Sequence, residues 1–204
     1  MNKLQILLVG GGGHCRSCID VIESEGRFDI AGIIEKDESV NQDVLGYPII
    51  GTDDDLAALR KKFEYAFVTT GQLQSSEARE SLFAKLRSLQ YTLPVIISPH
   101  AIVSKHAALG EGTIAMHNAV VNAGAEVGKN CILNTDSLVE HDCSVGDHCH
   151  ISTGAVINGE VTVGESSFIG SNAVVVQRVH TPISSFVKAA ALVKSERYFS
   201  EKGN

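Results

Sequence analysis

Apolar positions along the chain keep two rhythms, and the change comes near residue 95. Over the first ninety residues, short apolar runs alternate with helical spacing. Ile6-Leu7-Leu8-Val9 runs into glycines and is followed by a helix pattern from about His14 to Glu25. Ile30 to Ile34 reads as a second strand, and Ala66 to Thr70 as a third that closes on Gly71. Leu56 and Leu59 mark a helix over Asp53 to Lys62, with aspartates in the first turn where they suit the dipole. Apolar residues at 78, 82, 83, 86 and 89 mark another helix over Ser75 to Leu89. Alternation of this kind predicts an α/β domain over residues 1–94, a small parallel sheet with helices on its faces.

From Ile97 onward the period is six. Fifteen of the seventeen positions reached by stepping in sixes from Ile97 to Val193 are Ile, Leu or Val; Ala115 and Thr181 are the exceptions. Four residues after each, the side chain is usually small, as at Ala119, Ala125, Cys131, Ser137, Cys143, Cys149 and Ala155. Neither a helical period nor plain alternation produces this pattern. A hexapeptide β-helix does: each short strand aims one aliphatic side chain inward, and three strands complete a triangular coil of eighteen residues. Small residues then suit tight corners. Gly110, Gly128, Gly146 and Gly164 recur every eighteen residues on one edge of the prism, where a turn with positive φ is expected. Residues 95–204 are therefore expected to form an all-β parallel solenoid with a C-terminal tail.

The chain has 204 residues, 44% apolar and 20% charged, with a net charge of −7. That balance, with no basic stripe, argues against a nucleic-acid partner. Leu4 to Val9 reads as a strand rather than a targeting segment, and no window is long enough to insert in a membrane, so a cytoplasmic protein is expected. Five cysteines do not suggest a disulfide framework. Cys131, Cys143 and Cys149 fall at the small inward offset and read as inert core thiols, and Cys15-Arg16-Ser17-Cys18 matches only the bare spacing of a redox pair.

Chemistry concentrates in two places. The stretch from Asn134 to Cys143 interrupts the repeat with polar groups, and His141 lies two residues past an inward Val139, so its ring points away from the core. Glu140 and Asp142 flank it, and a carboxylate on one imidazole nitrogen raises the basicity of the other, as a general base requires. A metal reading of His141, Cys143, His148, Cys149 and His150 has unsuitable spacing, and no metal is expected. In the first domain, Gly10-Gly11-Gly12-Gly13-His14 follows a strand and opens a helix, a place that favours phosphate. Cys15 stands where the dinucleotide fingerprint wants glycine, so a nicotinamide cofactor is not the expected ligand.

With both halves placed, the chain resembles the bacterial sugar acyltransferases that join a Rossmann-like domain to a left-handed hexapeptide β-helix. It is similar to the sialic acid O-acetyltransferase family, which includes the UDP-4-amino-sugar N-acetyltransferase of bacillosamine synthesis. The matching pieces are Val9 to His14, Ile33-Ile34-Glu35-Lys36-Asp37, Thr69-Thr70-Gly71, and Asn134-Thr135 through Glu140-His141-Asp142. The resemblance implies an acetyl-CoA-dependent N-acetyltransferase acting on a nucleotide-linked amino sugar, a homotrimer with active sites between neighbouring prisms. It implies that His141 is the general base, that Asp142 raises its basicity and that Asn134 places the nucleophile. His150, Gly159 and Ser171 would line the acetyl-CoA groove, and Gly12, Gly13, His14, Glu35, Lys36 and Gly71 would hold the nucleotide. O-acetylation of a sialic or other nonulosonic acid, and a non-catalytic trimeric nucleotide-binding scaffold, are the alternatives.

Overall fold

The structure is a computed structural model that describes residues 3–35, 42–72 and 75–200. Lys36, expected to help hold a nucleotide, lies outside the described residues. The chain separates into two compact units, residues 1–71 with 77–96, and residues 72–76 with 97–204.

The first unit is built on a five-stranded sheet. Its elements are β1 (Leu4–Val9), α1 (Gly13–Glu25), β2 (Phe28–Ile34), β3 (Asp43–Val44), β4 (Tyr47–Gly51), α2 (Leu56–Leu59), β5 (Tyr65–Val68) and α3 (Glu77–Ser88). The strand order is β3-β4-β2-β1-β5, parallel except for the β3–β4 hairpin, which the hydrophobic pattern did not suggest. Helix α2 is a single turn, much shorter than the expected span from Asp53 to Lys62, because only Leu56 among its residues is deeply buried. Ile6 to Val9, Ile33, Ile34, Ala66 and Phe67 are buried in the central strands, as a sheet covered on both faces requires. Since β1 connects to β2 on one side and pairs with β5 on the other, the topological switch lies at the carboxyl end of β1. The glycine run begins there.

The second unit is a left-handed parallel β-helix of two-residue strands, β6 (Ile96–Ile97) through β22 (Leu192–Val193), recurring every six residues. They form three parallel sheets of six, five and six strands, each strand pairing with the one eighteen residues away. The three sheets make the faces of a prism. Face 1 presents outward Ile114, Ile132, His150, Phe168 and Phe186; face 2 presents Ile102, Val120, Leu138, Val156, Val174 and Leu192; face 3 presents Ala108, Glu126, Ser144, Thr162 and His180. The second residue of each strand points inward, and Val121, Val139, Ile151, Ile157, Ile169 and Val175 are fully buried.

One expectation about the corners holds and one needs correction. The small residues close the corner turns, as the Ala119 amide bonded to the Met116 carbonyl and the Ala155 amide bonded to the Ser152 carbonyl show, and Ala119, Ala125, Cys131, Cys143, Cys149 and Ala155 turn their side chains into the core beside the aliphatic rows. The left-handed backbone recurs every sixth residue from Gly112 to Ala190 and is carried mostly by non-glycine residues, among them Asn118, Asp136, Asp142 and Asn172. Asn and Asp tolerate that region best.

Gly110, Gly128, Gly146 and Gly164 do not have positive φ. They are glycines because successive coils touch there: a Cβ on Gly110 would lie 2.7 Å from the Gly128 carbonyl carbon, and one on Gly128 would lie 2.7 Å from the Asp147 amide nitrogen. Backbone cannot give way as a side chain can. Gly128→Ala is therefore expected to destabilise the β-helix by about 1–3 kcal/mol through overpacking, read as a lower Tm.

The tail continues into α4 (Arg197–Ser200), whose Tyr198 and Phe199 pack against the end of the core while Glu196 Oε1 accepts the His180 amide at 3.1 Å. A solenoid needs such a cap, because its last coil has no successor to cover it.

Candidate active site

His141 stands on the edge between faces 2 and 3, half-exposed, in the corner that follows the strand Leu138–Val139. Its Nδ1 lies 2.9 Å from Asp142 Oδ2. Asp142 has φ of 57°, and that left-handed corner turns its carboxylate back along the edge. Gly124, one coil earlier, leaves room for it: a side chain there would overlap Asp142 Oδ1. Glu140 Oε2 accepts Asn122 Nδ2 at 2.9 Å and the His141 amide at 3.2 Å. Glu160, one coil beyond Asp142, is clamped by Arg178 through two 3.0 Å bonds, which hold its carboxyl below the usual range. The hydrogen bond that His141 Nδ1–H donates to Asp142 pushes the His141 pKa up, with smaller help from the charges of Asp142, Glu140 and Glu160.

One coil above His141 lies Gly159. A Cβ at Gly159 would sit 2.6 Å from His141 Nε2, so the glycine lets the imidazole lie flat along the edge. The structure thus sets Gly159, the glycine for which the resemblance implies a place along the coenzyme groove, against His141. Gly159→Ala is expected to tilt the ring and reduce kcat about tenfold or more with Tm nearly unchanged, a steady-state measurement, because small misplacements at a reacting centre are costly.

Asn134 stands on the other border of face 2, on the edge shared with face 1. Its Oδ1 accepts the Thr135 amide at 2.8 Å, and its Nδ2 meets His150 Nε2 at 3.1 Å. His150 is buried, its Nδ1 is 3.2 Å from the Gln72 carbonyl, and Phe168 packs edge-on against it at 5.1 Å. A carbonyl at Nδ1 can only accept, so His150 carries its proton on Nδ1, and Nε2 accepts from Asn134. That neutral ring fixes the Asn134 amide. Further along the same edge, Ser171 Oγ pairs with Ser152 Oγ at 3.0 Å. The expected site residues of the β-helix therefore form two groups on two edges. His141, Asp142 and Gly159 make one, and Asn134, His150 and Ser171 belong to the other.

The residues of the rival metal reading do not converge. Cys143 and Cys149 are buried with their sulfurs toward the Asn158 and Gly164 carbonyls, and His141, His148 and His150 stand on different sides of the prism.

In the first unit, the ends of β1, β2 and β5 gather the expected nucleotide-binding residues. Gly10, with φ of 110°, lies so close to Thr70 that a side chain would overlap it, and Thr69 Oγ1 donates to the Gly10 carbonyl at 2.6 Å. The Gly11 amide donates to Glu35 Oε2 at 2.5 Å. Helix α1 opens at Gly12 without a side-chain cap and with no acidic residue in its first turn. No neighbour among the described residues stands within 4 Å of where a Cβ would sit on Gly12 or Gly13. Exposed first-turn amides with open surroundings suit an anionic ligand. Gly71 packs on His14, its would-be Cβ 3.2 Å from the His14 Cβ. Burial and then the charge of Arg79 push His14 down to about 4, so it is a neutral hydrogen-bonding group at pH 7 rather than a phosphate cation. Arg79, buried in the first turn of α3, was not singled out in the sequence because it lies between apolar positions 78 and 82 of a helix. Burial raises both Cys15 and Cys18, which suits packed thiols and not a reactive pair.

Comparison with known proteins covers both units. Residues 5–86 match the PglD N-terminal domain family. Among solved structures, PerB from Caulobacter crescentus, in complex with CoA and GDP-perosamine, is 32% identical, covering 94% of this chain and 89% of its own, with a TM-score of 0.87. The acetyltransferase domain of PglB from Neisseria gonorrhoeae is 28% identical over 94% and 92%, with a TM-score of 0.87. The same domain in complex with acetyl coenzyme A matches at 28% over 96% and 95%, with a TM-score of 0.84. None of the curated proteins compared with the chain matches it.

Proposed function

Because this chain belongs to the hexapeptide-repeat sugar acyltransferases that carry a PglD N-terminal domain, we propose that it transfers acetyl from acetyl-CoA directly to the amino group of a nucleotide-linked sugar of the 4-amino-6-deoxyhexose type, for a bacterial surface glycan. The observation that carries this reading is the exposed His141, held through Nδ1 by Asp142 with Nε2 lying beside Gly159. His141 Nε2 accepts the amine proton, and the nitrogen lone pair attacks the thioester carbonyl. The tetrahedral oxyanion then collapses, the carbon–sulfur bond breaks, and the departing thiolate takes up the proton, leaving an amide and CoA. A thioester is activated enough that positioning and proton transfer suffice, with no covalent enzyme intermediate. Asn134, locked by His150, would orient the acceptor or the thioester through its second amide hydrogen. Gly12, Gly13, His14, Glu35, Lys36 and Gly71 would hold the nucleotide, and Gly159 and Ser171 would border the pantetheine arm.

The site draws on two chains in this reading. His141 and Asn134 flank face 2, whose outward row is aliphatic from Ile102, 66% exposed, to Leu192, 50% exposed, whereas face 3 presents Ala108, Glu126, Ser144, Thr162 and His180. Such a stripe marks a self-association face, and packing face 2 on neighbouring copies would bring the His141 edge of one protomer to the Asn134 edge of another in a homotrimer.

The test is release of CoA thiol from acetyl-CoA with GDP-, UDP- and CMP-linked amino sugars, with mass spectrometry of the product. Gain of acetyl on nitrogen supports the proposal. Acetyl on a hydroxyl of a nonulosonic acid replaces it with the O-acetyltransferase reading, and no calorimetric affinity for acetyl-CoA replaces it with a nucleotide-binding scaffold.

A further inference from the structure

Acetyl-CoA carries an adenosine diphosphate at the far end of its pantetheine arm, and the last coils of the Asn134 edge fit that end. Along this edge the Gly154 amide donates to the Thr135 carbonyl at 2.9 Å, the Asn172 amide to Thr153 at 2.9 Å, and the Ala190 amide to Ser171 at 2.8 Å. These bonds stack four successive corners, so the corner of Lys188 stands three coils, about 14 Å, above that of Asn134. A pantetheine arm extended as a peptide backbone is, from thioester carbonyl to first phosphorus, spans on the order of 16 Å. A thioester beside Asn134 therefore brings its diphosphate to the level of Lys188.

Charge separates the two edges that border face 2. On the His141 edge the path toward the C-terminal coils passes Glu140, Asp142 and Glu160, Arg178 is tied to Glu160, and Lys194 shares its corner with Glu196. Above Asp136, the corners of the Asn134 edge are residues 152–154, 170–172 and 188–190, small and uncharged except for the exposed Lys188. Phosphate is repelled along the first edge and drawn to the end of the second. Phe186 adds a contact of another kind in the same coil. Val187 points into the core, so Phe186 and Lys188 on either side of it both point outward. Phe186 is 45% exposed, and its ring is stacked on Phe168 at 5.2 Å and 12°, which itself meets His150 edge-on. An aromatic ring supported from one side and exposed to solvent is a stacking surface for a purine base.

Resting on the proposed acetyl transfer with its thioester beside Asn134, we infer that Lys188 binds the diphosphate of acetyl-CoA and that Phe186 stacks under its adenine. The C-terminal coil then selects the full coenzyme over shorter acetyl thioesters.

Steady-state kinetics of the full-length protein with three acetyl donors test this: acetyl-CoA, acetyl-phosphopantetheine, which keeps one phosphate and lacks the adenosine, and acetyl-pantetheine, which lacks both. Lys188→Ala is expected to lower the preference in kcat/KM for acetyl-CoA over acetyl-pantetheine about tenfold or more, through KM. Phe186→Leu keeps an apolar side chain on Phe168 and removes the ring. It is expected to lower the preference for acetyl-CoA over acetyl-phosphopantetheine about fivefold or more, while that for phosphopantetheine over pantetheine persists. A side chain that only supported the fold would weaken all three donors alike, so equal loss overturns the assignment, as do unchanged preferences. Calorimetric titration with CoA reads the same contacts without an acceptor; weaker binding to both variants supports them and unaltered affinity overturns them. Absence of acetyl transfer with CoA binding that depends on Lys188 and Phe186 instead removes the proposed reaction and leaves the coenzyme contacts standing.

Discussion

Replacing His141 with alanine is expected to lower kcat by roughly 10² or more while leaving the far-UV circular dichroism, Tm and oligomeric state as they are. The ring is outside the core and its removal opens no cavity, so a stability defect is not predicted. The dependence on pH carries the finer prediction. A base acts in its unprotonated form, and Asp142 first, then the carboxylates of Glu140 and Glu160, stabilise the protonated ring and raise its pKa above the ordinary value of 6.5. Activity of the parent enzyme should therefore rise with pH through an inflection above 6.5. Asp142→Asn removes the largest cause, so the inflection should move down while the maximal rate falls, since the ring also loses the partner that orients it. Unchanged turnover in His141→Ala would remove the base from the mechanism, and an inflection that ignores Asp142→Asn would remove the coupling between the two.

Much of this was legible because a solenoid writes its geometry into the sequence at a fixed interval. The hexad placed Val139 inside and His141 outside without any structure, and the inward cysteines followed from the same phase. The interval of eighteen held more than was drawn from it. Gly159 is His141 plus one coil and Gly124 is Asp142 minus one coil, and both glycines are explained by the side chain stacked against them. The spaced glycines from Gly110 to Gly164 misled for a related reason. Their role is contact between neighbouring coils, which a reading of turn conformation alone does not see. What could not be read was long-range and local to no motif: the carbonyl of Gln72 that sets the tautomer of His150, and the burial that, with the charge of Arg79 beside it, keeps His14 neutral. The first unit was legible to the extent that its strands are continuous apolar runs. The short β3–β4 hairpin, half exposed and carrying Pro48, has no such run to announce it.

In the proposed trimer, a single charge on face 2 is expected to separate the protomers and, with them, the activity. Val120→Asp or Val174→Asp puts a carboxylate into the middle of the aliphatic row, one or two coils away from Leu138, which shares its corner with His141. Full burial of a Val or Leu is worth about 1.5–3 kcal/mol, and since Val120, Leu138, Val156 and Val174 are already partly buried, the row supplies on the order of 5 kcal/mol per protomer before the cost of association is deducted. An unpaired carboxylate in the same surface costs several kcal/mol, enough to reverse a balance of that size. Both variants should sediment as monomers and retain the β-helix by circular dichroism, because the altered side chains point away from the core. Turnover should fall by roughly 10² or more in the same samples, since one chain alone holds His141 and Asn134 on opposite borders of the face and cannot bring them to one substrate. Ser144→Asp and Thr162→Asp, on polar face 3, should leave both mass and rate unchanged. A Val120→Asp protein that stays assembled would show that the chains meet elsewhere, and a fully active monomer would show that His141 and its acceptor need nothing from a second copy.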